Sequence, residues 1–165
     1  MTKVKLSKDS PEELVALLQR RGKINNEGEY SFGWQSYPGV CEITSYGKTE
    51  ADENIDEALM RETQEELGEK IVKMILEYGK EKIFDKVNEK GERYYIFASL
   101  LPKEVFKEIK LDVSTGGIEI VRKTDLKNIK EIYFGKEKIF ITDLNNITLW
   151  ELPISVLEKA FQIFG

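Results

Sequence analysis

The stretch from Gly47 to Gly68, GKTEADENIDEALMRETQEELG, puts three acids where a helix would be expected to bury apolar side chains. Taking about 100° per residue, Ile55, Ala58 and Leu59 form one apolar face of a helix that begins after Asp52. Met60, Thr63 and Leu67 widen that face, and Gly68 is a natural C-terminal stop. Glu62 and Glu66 lie four apart and project from the same side as Ile55 and Leu59, with Glu65 flanking them. Glu57, Arg61 and Gln64 are left to the outward face. The apolar stripe therefore turns into a carboxylate cluster toward the end of the helix. Like charges at this spacing repel, and the negative end of the helix dipole adds to the cost. One or two divalent cations would relieve it. A solvated acidic surface with Arg61 and Lys70 as counterions is the competing account, and periodicity does not choose between them.

The whole chain narrows the chemistry. Its 165 residues suit one domain, residues 1–165, long enough to bury a core. Hydrophobic residues at 41% and charged residues at 33% are globular values. A net charge of −5 argues against a general nucleic-acid binder, though a metal can neutralise phosphates where lysines do not. Cys41 is the only cysteine, so no intramolecular disulfide forms. The absence of a membrane-length apolar run or a secretory signal makes a cytoplasmic setting the expectation. No histidine is present. That removes Ser-His and Cys-His schemes, His-ligated zinc and the commonest general base. Thirty acids remain, so any metal should be hard and oxygen-loving, meaning Mg²⁺, Mn²⁺ or Ca²⁺.

Elsewhere the local signals are mixed. Leu14–Arg21, LVALLQRR, follows Ser10-Pro11-Glu12-Glu13, which looks like a helix N-cap with proline at the first helical position. A strand reached through a turn competes with it. Gly22–Tyr30 reads as a polar loop, Pro38-Gly39 as a turn, and Val40–Thr44 as a strand. IVKMIL (71–76) is a strand or a continuation of the helix. KIFDKV (82–87) and ERYYIFASLL (92–101) predict a β-hairpin, GGIEIVRK (116–123) a strand, and ISVLEKAFQIF (154–164) an amphipathic C-terminal helix. KEVFKEIK (103–110) is short and charged. Strands and helices mix without a regular βαβ rhythm, so the fold class is α+β or an α/β/α sandwich.

The spacing around the acidic helix is informative. Five residues separate Gly47 from Glu53 and seven separate Glu53 from Arg61. Arg61-Glu62, Glu65-Glu66 and Gly68 complete the pattern. This resembles the Nudix box, GX5EX7REUXEEXGU with U a bulky aliphatic, and all seven fixed letters are present. Thr63 and Glu69 replace two aliphatic positions, and Tyr46 and Asp52 replace common glycines. The segment LLQRRGK followed by YPGVCEITSYGKTEADE is similar to the Nudix subgroup related to isopentenyl diphosphate isomerase. The likeness covers Leu14 to Ile129 and favours a strand for Leu14–Arg21. That isomerase needs a cysteine and metal-binding histidines where this chain has Ser45 and Lys48, so isomerase activity is not expected.

The resemblance implies an α/β/α sandwich with a mixed sheet and a catalytic loop–helix–loop. It also implies Mg²⁺-dependent (alternatively Mn²⁺-dependent) hydrolysis of a diphosphate in a nucleoside diphosphate-X type of substrate by metal-activated water. Glu62, Glu65 and Glu66 would face the metal, with one of them acting as base. Glu53 and Arg61 would pair and hold the loop to the helix, and Gly47 and Gly68 would permit the turns. Glu119 is the candidate for a further metal ligand from a later segment, a solvent-facing strand acid being the alternative. Arg20, Arg21, Trp34 and Tyr37 need no site role, because exposed arginines and an aromatic beside a Pro-Gly turn have ordinary explanations. The rival function is a catalytically silent domain that binds a nucleotide or a partner protein. The expected partner is a small diphosphate or nucleotide, with a homodimer left open.

Overall fold

The computed structural model describes residues 1–22, 24–28, 31–34, 39–45, 47–111, 115–132, 147–150 and 152–165, with backbone alone for 24–28, 31–34, Ile132 and Trp150. The chain begins with β1 (Thr2–Val4), β2 (Glu13–Arg21), β3 (Ile24–Gly28), β4 (Ser31–Trp34) and β5 (Cys41–Glu42). Two helices follow, α1 (Ile55–Leu67) and α2 (Glu69–Tyr78), then β6 (Glu81–Val87), β7 (Arg93–Ala98) and the short α3 (Val105–Glu108). The remainder is β8 (Thr115–Arg122), β9 (Lys130–Ile132), β10 (Thr148–Trp150) and α4 (Ile154–Phe164).

β2 is the centre of the main sheet. One edge pairs antiparallel with β8 along Val15–Arg21. The opposite edge pairs with β1 at Glu13–Val15 and with β5 at Gln19–Arg20. β10 then joins β5 and β9 by parallel pairing, so the sheet is mixed. Val15, Ala16 and Leu18 are all buried. A run buried on both faces belongs to a central strand, and that burial outweighs the local helix-start signal. Ser10 is used differently: its hydroxyl donates to Ser7 O and accepts from Ser7 N–H, closing the turn before the strand.

Alternation along β2 separates the two layers. Ala16 and Leu18 belong to the core built with Val156, Leu157, Ala160 and Phe161 of α4. Leu17 points the other way, onto Leu67 of α1, Ile71 of α2, and Leu101 and Val105 at α3. This is the expected sandwich of helices on both faces of a mixed sheet. α4 starts where Pro153 ends the preceding segment and the Glu131 carboxylate accepts the Ile154 N–H. Between the contacts of β1 and β5, residues Ala16 to Leu18 have no strand opposite them on that edge among the described residues.

Several expectations are corrected. Gly22–Tyr30 is not simply a loop, since β3 and β4 pair from Ile24↔Trp34 to Gly28↔Ser31. IVKMIL belongs to α2, with Ile71 and Val72 buried. The strand expected at Val40–Thr44 shortens to Cys41–Glu42. The β6–β7 hairpin, β8 and α4 fall where the sequence puts them. Tyr37, Pro38, Tyr46 and the Trp34 side chain lie outside the described residues.

Cys41 is fully buried, and that burial pushes its thiol up to about 11. A thiol-specific reagent at about pH 8 is therefore expected to leave the native protein unlabelled and to label one thiol per chain after denaturation. Rapid native labelling would contradict this burial.

Candidate functional site

α1 is fixed at its start by a reciprocal cap. Asn54 Oδ1 accepts from the Asp56 and Glu57 N–H groups at 3.0 Å each, and Glu57 accepts the Asn54 N–H at 3.0 Å. The helix stops because Gly68 takes φ +95°, where its N–H still reaches the Thr63 and Gln64 carbonyls. Ala58, Thr63 and Leu67 are the buried residues of α1, so Thr63 occupies its box position as a core residue. Glu69 opens α2, is exposed and pairs with Lys73 at 2.8 Å. An acid suits the first turn of a helix, which accounts for its presence where the box has an aliphatic residue.

Arg61 organises the loop before α1. Its guanidinium donates to both Glu53 oxygens at 2.9 and 3.0 Å, to the Lys48 carbonyl at 2.8 Å and to Glu62 Oε1 at 2.8 Å. The forked geometry suits arginine and not lysine. Glu53 also accepts the Glu50 N–H at 2.9 Å, closing the turn that leads into the helix. Arg61 thus folds back onto the loop instead of occupying the outward face assigned to it by periodicity.

Gly47 is required by close approach. A Cβ there would lie 1.7 Å from Glu62 Cδ and 1.9 Å from Glu62 Oε1. The Glu62 carboxylate therefore rests on the Gly47 α-carbon, and its Oε1 also accepts from Arg61. Sequence spacing marks Gly47 as a motif residue but does not reveal this contact. Asp52 is the residue that sequence reasoning undervalued. It has φ +65° and an exposed side chain. Glycine at this position is expected to leave stability unchanged or raise it by less than about 1 kcal/mol, while valine should lower it by about 1–2 kcal/mol. Urea midpoints of the two variants check this.

The Arg61 hydrogen bonds first, and then the Glu50 N–H, hold the Glu53 carboxyl below the usual carboxylate range. A depressed folded value stabilises the protein above the unfolded carboxylate range and loses that contribution as pH falls through the folded value. The stability advantage of the wild type over Glu53→Gln should therefore shrink from about pH 7 to about pH 3. Thermal midpoints across that range check the sign, and a constant gap would contradict it.

The other acids are arranged less tightly. Glu65 is mostly exposed and stands 3.6 Å from Arg61, while Glu66 is half-buried. Lys70 pairs with Glu108 at 2.6 Å. Glu119 sits within β8 and is bound by Arg20, which also donates to the Gly39 carbonyl at 2.7 Å. By register Glu119 shares a face with Leu18 and Val121, residues packed in the α4 layer, and the structure does not bring it to the α1 acids. Arg21 pairs with Glu42 at 2.8 Å. Arg20 and Arg21 are thus both engaged by carboxylates.

Among the described residues, no three His, Cys, Asp or Glu side chains stand together closely enough to hold an ion as they are. The donor chemistry nevertheless fits a hard cation. Glu62, Glu65 and Glu66 supply only carboxylate oxygen, and side chains three and four apart on a helix have β-carbons about 5–6 Å apart, so rotamer changes suffice to converge them. Glu62 already has one oxygen fixed by Arg61.

Comparisons with known proteins bear on the fold and the family. A crystal structure of a mutT/nudix family protein from Listeria innocua matches with a TM-score of 0.56 at 17% sequence identity, covering 98% of this chain and 87% of that one. At that identity the likeness speaks for the fold. No curated protein matches the sequence. No described helix is long and apolar enough to cross a membrane. The family model described as the NUDIX domain matches residues 7–141, and on that match the chain belongs to the Nudix family.

Proposed function

We propose that the protein is a Mg²⁺-dependent hydrolase that cleaves the diphosphate linkage of a nucleoside diphosphate-X type of substrate. Its family membership supports hydrolase chemistry in general, since Nudix proteins are generally pyrophosphohydrolases. The observation that carries the finer reading is the hold on Glu62. Arg61 and Gly47 fix a carboxylate at the loop–helix junction, next to two further acids on the same helix.

Glu62, Glu65 and Glu66 would hold the ion, and Glu119, bound by Arg20 on the α4 face of the sheet, would stay outside that set. Bound there, Mg²⁺ supplies charge neutralisation of the diphosphate oxygens and a lowered water pKa. Water adds to one phosphorus as the bridging P–O bond breaks, giving two phosphate products. The proton of the water passes to a carboxylate, because the chain has no histidine to take it. Glu65, the most exposed of the three, has the freest approach to solvent for returning that proton.

A second reading rests on the same geometry: the α1 acids are not already converged, as in a silent binding domain. A panel of nucleoside triphosphates, nucleotide sugars, dinucleoside polyphosphates and small diphosphates separates the two. Release of phosphate, pyrophosphate or nucleoside monophosphate only with Mg²⁺ is the result expected of a hydrolase. Tight metal-independent binding of a panel member without turnover would overturn that reading.

A further inference from the structure

A cavity of about 170 Å³ lies beneath α1, beside the stretch of β2 that lacks a strand partner between β1 and β5. Leu59, Thr63 and Leu67 of α1 line it, together with Leu17 of β2 and Leu157 of α4. It therefore lies on the buried side of α1, the side that Leu59 and Thr63 face. Ser45 also lines it, and the Ser45 Oγ is sealed from solvent with no hydrogen-bond partner.

These two observations are independent and belong together. A cavity of about 150 Å³ lined by apolar side chains accepts benzene or xenon, and by volume this one has room for a ring of that size. A buried hydroxyl without a partner carries a desolvation penalty, which a ligand with one hydrogen-bonding atom would remove. A lone water answers that need poorly, because an ordered buried water wants two to four polar partners and the walls here are mainly apolar.

We propose that this cavity is a binding site for a compact apolar molecule of about six to eight heavy atoms with a single hydroxyl or N–H, the polar atom meeting Ser45 Oγ. This binding does not depend on the hydrolase reading. Its ligand would pack against the inner face of α1, the helix whose outer end carries Glu62, Glu65 and Glu66.

The test is direct binding of phenol and benzene to the full chain by calorimetry and protein-observed NMR, with wild type, Ser45→Ala and the cavity-filling Ala98→Leu. The wild type is expected to bind both saturably and to prefer phenol by about three- to tenfold, the worth of one net hydrogen bond. Ser45→Ala should lose the preference and keep benzene binding, while Ala98→Leu should weaken both. If Ala98→Leu does not fold, the Ser45→Ala comparison with the same two probes still decides. No saturable binding of either probe, or a phenol preference unchanged by Ser45→Ala, overturns the proposal.

Discussion

Glu66→Gln is expected to lower the Mg²⁺-dependent turnover of the best substrate by about 10²- to 10⁴-fold, the range for loss of a metal-binding or proton-accepting carboxylate. Glu66 lies in the last turn of α1, beside Glu62 and Glu65. Steady-state kinetics of the wild type and the variant with and without Mg²⁺ check this. Unchanged turnover would remove Glu66 from the site.

Gly47→Ala should impair turnover nearly as strongly, by about 10²-fold or more, for a different reason. The added methyl cannot coexist with the present Glu62 carboxylate, whose Cδ would be 1.7 Å away. Because the obstructed atoms belong to the end of a side chain, Glu62 can swing aside, and the stability cost should stay near 1 kcal/mol. The swing breaks the Arg61–Glu62 contact of 2.8 Å and releases the carboxylate from its place beside the loop. A displacement of about 1 Å at such a position is enough for a 10²-fold loss. Kinetics set beside thermal unfolding distinguish this from simple misfolding. Retained activity would show that Glu62 need not rest on Gly47.

These effects trace back to what the sequence makes readable. The helix from Ile55 to Leu67 is legible because its apolar spacing and its terminal glycine agree. The β6–β7 hairpin is legible because aromatic and β-branched residues flank a short polar turn. The Glu53–Arg61 pair follows from the box resemblance, and the structure shows it as two hydrogen bonds.

Other features depend on information that is not local. The polar β3–β4 pair carries no alternation to mark it, and β1, β9 and β10 are three-residue strands defined only by their neighbours. Arg61 sits at an outward helical position, yet its side chain bends back to a loop eight residues earlier, which no helical wheel displays. Asp52 gives no sequence sign of its left-handed backbone beyond standing where glycine is common. Glu119, read from sequence as a candidate metal ligand or a solvent-facing strand acid, is bound by Arg20, nearly a hundred residues away, a pairing that no local pattern displays.

The central claim is that the α1 acids hold a divalent cation. The most direct test is equilibrium binding of Mn²⁺, followed by electron paramagnetic resonance with Mg²⁺ as competitor, to the wild type and to the double variant Glu62→Gln/Glu66→Gln. The account predicts a saturable site in the wild type that Mg²⁺ displaces and the double variant weakens by at least about tenfold. Equal affinity in the two proteins, or no saturable site in the wild type, would contradict it.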